Sequence, residues 1–338
     1  MTSIAQHYDR IRATVGVYTP GAALVAVSGL ERGVVLGRVL AKDSEYVEPD
    51  TARDTLILDE DGGVWDAVIH IELDNTSWLI AQTRTDLADL LRAAAQDLED
   101  VEVLDAAGEQ LAVAFEGPKA WRIAENLVDF EISSLVLHGV TAIDLPGADG
   151  ESGVLTRIGT TGEYGYLLLA PAGADPLATV LRQAEELGGG LVDEAALART
   201  RAEVRHPQLG DHTAGLTVRE ADLEWLVSWN REDEFRGGEA LQAAADPERG
   251  LITLSAPAGA VLVEGAAILA GDTEVGRLRA LFPSTQGAVE LALGLLAKPF
   301  DVPGLELRTE AADGTAVTLT TVSSPVVVPL SWTERIGA

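Results

Sequence analysis

A chain of 338 residues, 47% hydrophobic and 23% charged, can bury a large core and is long enough for two or three domains. Its 24 Lys plus Arg stand against 54 Asp plus Glu, a formal charge of −30, which argues against nucleic acid and membrane surfaces as partners because both would be repelled. With no cysteine, no apolar signal core in MTSIAQHYDR and no run of about 18 apolar residues, neither a thiolate site nor a bilayer span is available, and a soluble cytoplasmic protein is expected.

Along the chain, the run WDAVIHIEL alternates with period two and reads as a strand. The segment TDLADLLRAAAQDL follows with Leu87, Leu90, Leu91, Ala94 and Leu98 at helical spacing and Thr85 available as N-cap. LAVAF reads as a strand, and a helix is expected from Pro118, where a missing N–H removes nothing. VLTRIGT and YGYLLLA read as further strands. A third helix starts at Pro176 behind Asp175 and closes at Gly188, carrying Leu177, Val180, Leu181, Ala184 and Leu187 inward. After residue 250 the helical period disappears. LITLSAP, AVLVEGAAIL, EVGRLRALF, VELALGLL, LELRT and AVTLTTV are separated by Gly, Asp and Pro, which predicts a small all-β domain. The expected fold is α+β, with a first lobe over residues 1–110, a second over 111–248, the two interleaved, and a C-terminal β-barrel over 249–338.

Five or six short motifs occur in order. They are Asp61-Gly62-Gly63-Val64-Trp65-Asp66-Ala67, Glu116-Gly117-Pro118-Lys119-Ala120, Gly159-Thr160-Thr161-Gly162-Glu163-Tyr164-Gly165-Tyr166, Arg201-Ala202-Glu203 nine residues before Gly210, Leu223-Glu224-Trp225-Leu226-Val227, and Phe235-Arg236-Gly237-Gly238-Glu239-Ala240-Leu241. Val275-Gly276-Arg277 and Pro283-Ser284 follow. Over about residues 20 to 300 this series resembles the folate-binding aminomethyltransferase family, which includes the T-protein of the glycine cleavage system. The resemblance implies two α+β lobes and a C-terminal barrel around a folate channel, and tetrahydrofolate as cofactor.

The resemblance also marks departures. The family's second paired aspartate, usually given the catalytic role, aligns with Ala67; its pterin-binding glutamate aligns with Leu167; a tyrosine aligns with Thr160 and another near Asp54. Asp66 remains, yet strand alternation sends it to the opposite face from position 67. Asp66, His70 and Glu72 form a polar stripe on DAVIHIEL, read either as a solvent-facing strand or as cavity lining. His206, beside Pro207, takes the place of a family aromatic and can exchange a proton near neutrality. The candidate catalytic residues are therefore Asp66, His70 and His206, and the candidate cofactor-binding residues are Trp65, Glu163, Tyr166 and Arg201. Arg201 and Glu203 are expected to form a structural ion pair. His206, Asp211 and His212 match no strong zinc pattern, so no metal is expected.

The function expected from the resemblance is folate-dependent one-carbon transfer, or demethylation, on a small-molecule substrate. A folate-independent lyase or bond-cleaving enzyme using the same cavity is the alternative. A non-catalytic branch of the family carries a Lys-Gly-Cys-Tyr-x-Gly-Gln signature that a chain without cysteine cannot match.

Overall fold

The computed structural model describes residues 3–44, 47–145, 152–231, 233–282, 284 and 288–337. The first half contains α1 (Ile4–Ala13), β1 (Gly16–Tyr18), β2 (Ala23–Ser28), α2 (Arg32–Val39), β3 (Thr51–Leu58), β4 (Val64–Glu72), β5 (Thr76–Ala81), α3 (Leu87–Ala94), β6 (Glu102–Asp105), β7 (Gln110–Glu116), α4 (Ala120–Glu125), β8 (Val140–Asp144), β9 (Ser152–Thr156) and β10 (Gly165–Pro171). There follow α5 (Pro176–Glu186), β11 (Gly190–Leu191), α6 (Glu194–Val204), α7 (Gly238–Ala243), β12 (Arg249–Ala256), β13 (Ala267–Ala270), β14 (Thr273–Phe282), β15 (Glu290–Ala297), β16 (Glu306–Glu310) and β17 (Ala316–Val322). These elements divide into two compact units. The larger comprises Arg10–Val192, Trp225–Ala244 and Pro329–Ala338; the smaller comprises Met1–Asp9, Asp193–Glu224 and Ala245–Val328.

The larger unit holds two sheets, ordered β11-β1-β7-β10-β9-β8 and β3-β4-β5-β2-β6. Both faces of each are covered, so the central strands read as nearly continuous apolar runs. One core lies under α4 and α5 around Phe115, Tyr166, Trp121 and Val180. A second lies under α2 and α3 around Leu36, Val68, Leu79 and Leu91. Between the sheets, Ala52, Ile71, Ile80, Ala112, Leu167 and Leu169 close a third. Period-two alternation decides which face meets which layer.

In the smaller unit, β12-β15-β14-β13-β16-β17 close into an all-antiparallel barrel, filled by Leu254, Ile268, Leu278, Ala292, Leu296, Leu307 and Leu319. Closure leaves no free sheet edge. The expected α+β fold with a C-terminal all-β barrel is therefore present.

Local signals place some boundaries and shift others. α5 begins where expected: the Asp175 carboxylate accepts the Ala178 N–H at 3.2 Å, and Gly188 takes the left-handed φ of +83°. The helix expected from Thr85 instead runs only Leu87–Ala94 behind Asp86, while Leu98 still packs on the core from the turn that follows. α4 begins two residues after Pro118, which lies in the preceding turn. In the tail, residues 260–265 of AVLVEGAAIL form no strand, and β13 begins at Ala267.

Candidate functional site

β4 pairs with β3 in a register that sets Asp54 opposite Ile69 and Leu56 opposite Ala67. Directly paired residues share a face, so Ala52, Asp54 and Leu56 look the same way as Ala67, Ile69 and Ile71, towards the second sheet. Asp66, His70 and Glu72 look the other way, with Val68, towards α2 and α3.

That polar stripe is buried and its bonds are internal. The Asp66 carboxylate accepts from Thr83 N–H at 3.1 Å, Thr83 Oγ1 at 3.0 Å and Arg84 N–H at 2.9 Å, fixing the turn after β5. His70 accepts from Arg53 Nε at Nδ1 (3.3 Å) and stands 2.9 Å from Glu72 through Nε2. Burial pushes the His70 pKa down, which suits a neutral ring donating Nε2–H to Glu72. Burial would raise Glu72, but bonds from His70 and Ser77 and the Arg32 guanidinium at 2.9 Å hold it below its ordinary value. Trp65 is half-buried, with the Arg84 guanidinium 4.7 Å above its ring. The stripe is thus neither a solvent-facing strand nor part of the surface that carries Ala67.

Glu163 and Tyr166 have structural partners as well. The buried Glu163 carboxylate takes the Arg12 guanidinium at 3.1 Å, Ser331 N–H at 3.0 Å and Ser331 Oγ at 2.6 Å, pinning the segment after Pro329. Tyr166 points under α4 and α5, stacked on Phe115 at 5.6 Å. Its hydroxyl has no hydrogen-bond partner among the described residues, and burial pushes its pKa up to about 12.

Arg201 and His206 belong to the smaller unit. Glu203 receives the buried Arg199 guanidinium at 2.9 Å, whereas Arg201 reaches Glu194 at 3.1 Å. Residues four apart share a helix face and residues two apart do not, which is why Arg199 occupies the place expected for Arg201. His206 is half-buried just beyond α6, its N–H donating to Arg201 O at 3.0 Å.

On the inter-sheet face of the larger unit the polar groups converge on Glu116 and Asp54. Glu116 ends β7 and is buried, accepting from Thr160 N–H (2.8 Å) and Oγ1 (2.9 Å), from Thr161 N–H (2.8 Å) and Oγ1 (2.7 Å), and from the Tyr18 hydroxyl. The glycines of the motif make this possible. A Cβ on Gly159 would meet Gly165 Cα at 2.8 Å, so only a glycine pair lets the loop fold onto Glu116. Gly62, at φ +78°, similarly serves the turn before β4, where a Cβ would strike Leu241 N at 2.8 Å.

Asp54 has none of these satisfactions. Its carboxyl makes no hydrogen bond or salt bridge among the described residues, is enclosed deeply by protein, and keeps part of its surface open to solvent. Burial pushes its pKa up to about 6, with Lys42 opposing the rise and Glu116 adding to it. An enclosed, accessible, partnerless carboxyl poised near neutrality is the arrangement expected of an acid–base group. It lies one residue pair along the sheet from Ala67 on the same face. Sequence reasoning named Asp54 only as a departure from a tyrosine; the signal that reveals it is the β3–β4 register.

A helix-flanked double sheet carrying an enclosed carboxyl, together with a closed six-stranded barrel, defines an α+β class with a precedent among known proteins. A family model described as the GCVT N-terminal domain matches residues 1–231. An aminomethyltransferase of Thermus thermophilus is 30% identical over 284 residues, covering 82% of this chain and 78% of the relative. That of Streptomyces coelicolor is 28% identical over 293 residues, covering 83% and 78%. The crystal structure of glycine cleavage system aminomethyltransferase T from Bartonella henselae superposes with a TM-score of 0.81 at 23% identity over 97% of this chain and 90% of that one, which carries the fold. The chain belongs to the GCVT aminomethyltransferase family, a family of transferases.

Proposed function

We propose that this chain is a one-carbon transferase that moves a methyl or methylene group from a small amine, ether or sulfonium compound to tetrahydrofolate, demethylating the donor. The observation that carries the reading is the partnerless Asp54 carboxyl on the face of Ala67. Asp54 takes over the acid–base work that position 67 has lost. With a pKa of about 6 it is mostly ionised at pH 7, so it can take up the proton set free where the carbon is accepted and pass it to the departing donor heteroatom or, through its open side, to solvent.

Tetrahydrofolate, when bound, supplies the nitrogen that accepts the carbon. The side chains present suit its reacting end better than its pterin edge. Leu167, in the place of the family's pterin-binding glutamate, is buried among Ala112, Ile158 and Leu169, and Thr160 is turned onto Glu116. Each pterin partner lost costs about 1–3 kcal/mol. Polar atoms remaining for it on the inter-sheet face include the Asp54 carboxyl and Thr156 Oγ1, which is buried and has no partner among the described residues.

A folate-independent bond-cleaving enzyme in the same recess is the second reading, favoured by Leu167. Calorimetric titration with tetrahydrofolate separates the two. Binding tighter than roughly 100 µM supports the carrier, and none at roughly 500 µM removes it in favour of the second reading.

A further inference from the structure

A cavity of about 440 Å³, roomy enough for a small organic ligand, is lined entirely by residues of the smaller unit. It lies at the seam where the barrel closes. β12 pairs with β15 along its whole length but with β17 only at Thr253, Leu254 and Ser255, so residues 250–252 stand clear of β17. The chain between α6 and the barrel fills that gap. Leu251 N–H donates to Glu220 O at 2.8 Å, and the Arg205 guanidinium donates to Leu251 O at 2.6 Å and to Thr253 Oγ1 at 3.3 Å. Lys298 joins the lining from beyond β15, and Ser323 and Ser324 join it from beyond β17.

The lining carries charges of both signs, and depth sorts them. The Arg205 and Arg219 side chains are 20% and 24% exposed, whereas their partners Asp222 and Glu224 are 64% and 52% exposed. These two pairs are loose, at 3.4 and 3.7 Å, against 2.6 Å where Glu220 takes Arg249. Arg219 also reaches Asp246, at 3.2 Å, and Lys298 makes no hydrogen bond or salt bridge through its side chain among the described residues. Of the remaining acids, Glu220 is occupied by Arg249 and Thr217 N–H, and Asp301 lies half-exposed against Gly250. Carboxylates in water lose little when unpaired, while an enclosed guanidinium loses much. Burial outweighs Asp222 and lowers the Arg205 pKa, the mark of a cation short of negative charge. Arg205 and Asp222 also hold left-handed backbone, at φ +58° and +60°. They are two of five such non-glycine residues among the described residues, and strain of this kind gathers where ligands are held.

We infer that this cavity binds a compact anion of two or more charges, a phosphate ester or a polycarboxylate, through Arg205, Arg219 and Lys298, with the Ser323 and Ser324 hydroxyls donating beside them. Asp222 and Glu224 are then the resting counter-ions, which swing into water as the ligand's oxygens take the guanidinium N–H groups. An anion of one charge satisfies one cation and leaves the others as they were. A long polyanion meets the exposed carboxylates and the repulsion of a chain of net charge −30, so the site selects small ligands. The inference stands apart from the one-carbon reading and does not depend on it.

The test is calorimetry on the full chain in low-salt buffer, with pyrophosphate, citrate and acetate as probes. Pyrophosphate or citrate is expected to bind at least about tenfold more tightly than acetate, and which of the two binds better assigns the ligand to phosphate esters or to polycarboxylates. Arg219→Gln should weaken that binding at least about tenfold and Lys298→Met about threefold or more, whereas Arg92→Gln, which removes an exposed cation from α3 in the larger unit, should leave it unchanged. Circular dichroism and denaturation midpoints confirm that each variant is folded, and Lys298→Met, on an exposed side chain, keeps the test decisive if Arg219→Gln does not fold. No binding of pyrophosphate or citrate at roughly 10 mM, acetate binding as tightly as either, wild-type affinity in the folded variants, or an equal loss in Arg92→Gln overturns the site.

Discussion

Replacing Asp54 with Asn should stabilise the fold, and by an amount that depends on pH in a defined direction. Enclosure moves the carboxyl from its ordinary 3.8 to about 6, so the folded state binds its proton more tightly than the unfolded state does. A group raised in this way contributes stability that is fully present below pH 4 and is lost as pH rises through 6. At about 1.4 kcal/mol per pH unit the ionised form burdens the fold by about 3 kcal/mol, a ceiling that solvent on its open side reduces to about 1–3 kcal/mol. Urea denaturation of wild type and Asp54→Asn at pH 4, 5, 6, 7 and 8 checks this. The variant should gain about 1–3 kcal/mol at pH 8 and almost nothing at pH 4. A difference that does not change with pH, or a variant less stable at pH 8, would refute the enclosure argument.

Glu163→Gln should cost about 2–4 kcal/mol, because the Arg12 guanidinium and the Ser331 N–H lose their shared carboxylate, and limited proteolysis should then cut within Pro329–Gly337. Glu116→Gln replaces two oxygens that accept five bonds with one acceptor and one donor facing donors, and a loss of about 2–4 kcal/mol in urea is expected; a loss under about 0.5 kcal/mol would show the Thr160–Thr161 loop to be held by something else. Tyr166→Phe removes a buried hydroxyl without a partner, so stability should change by less than about 1 kcal/mol or rise.

Where a structure is specified by neighbours in sequence, the sequence was sufficient to read it. Asp175, Pro176 and Gly188 carry their own capping chemistry, so α5 is legible to the residue. The barrel strands are legible because short alternating runs between Gly, Asp and Pro have no other regular option. The β4 stripe shows the limit. Alternation establishes that Asp66, His70 and Glu72 share a face, but that α2, Arg32 and Arg53 cover it depends on residues far along the chain. The same holds for Asp54, which within TARDTLIL is one polar residue beside another. Only its pairing with Ile69, one step from Ala67, places it on the inter-sheet face. On α6, helical spacing alone would have favoured Arg199 over Arg201 as the partner of Glu203, since the two sit four and two residues away.

The central claim is that the acid–base carboxyl of this family member stands on β3 instead of β4, and moving it back is the direct test. Transfer of a methyl group from a methylsulfonium donor to tetrahydrofolate, a redox-neutral reaction that releases the thioether and one proton, should fall at least about 100-fold in Asp54→Asn and recover in part in the double variant Asp54→Asn/Ala67→Asp. Turnover in Asp54→Asn equal to wild type, under conditions where wild type is active, would contradict it.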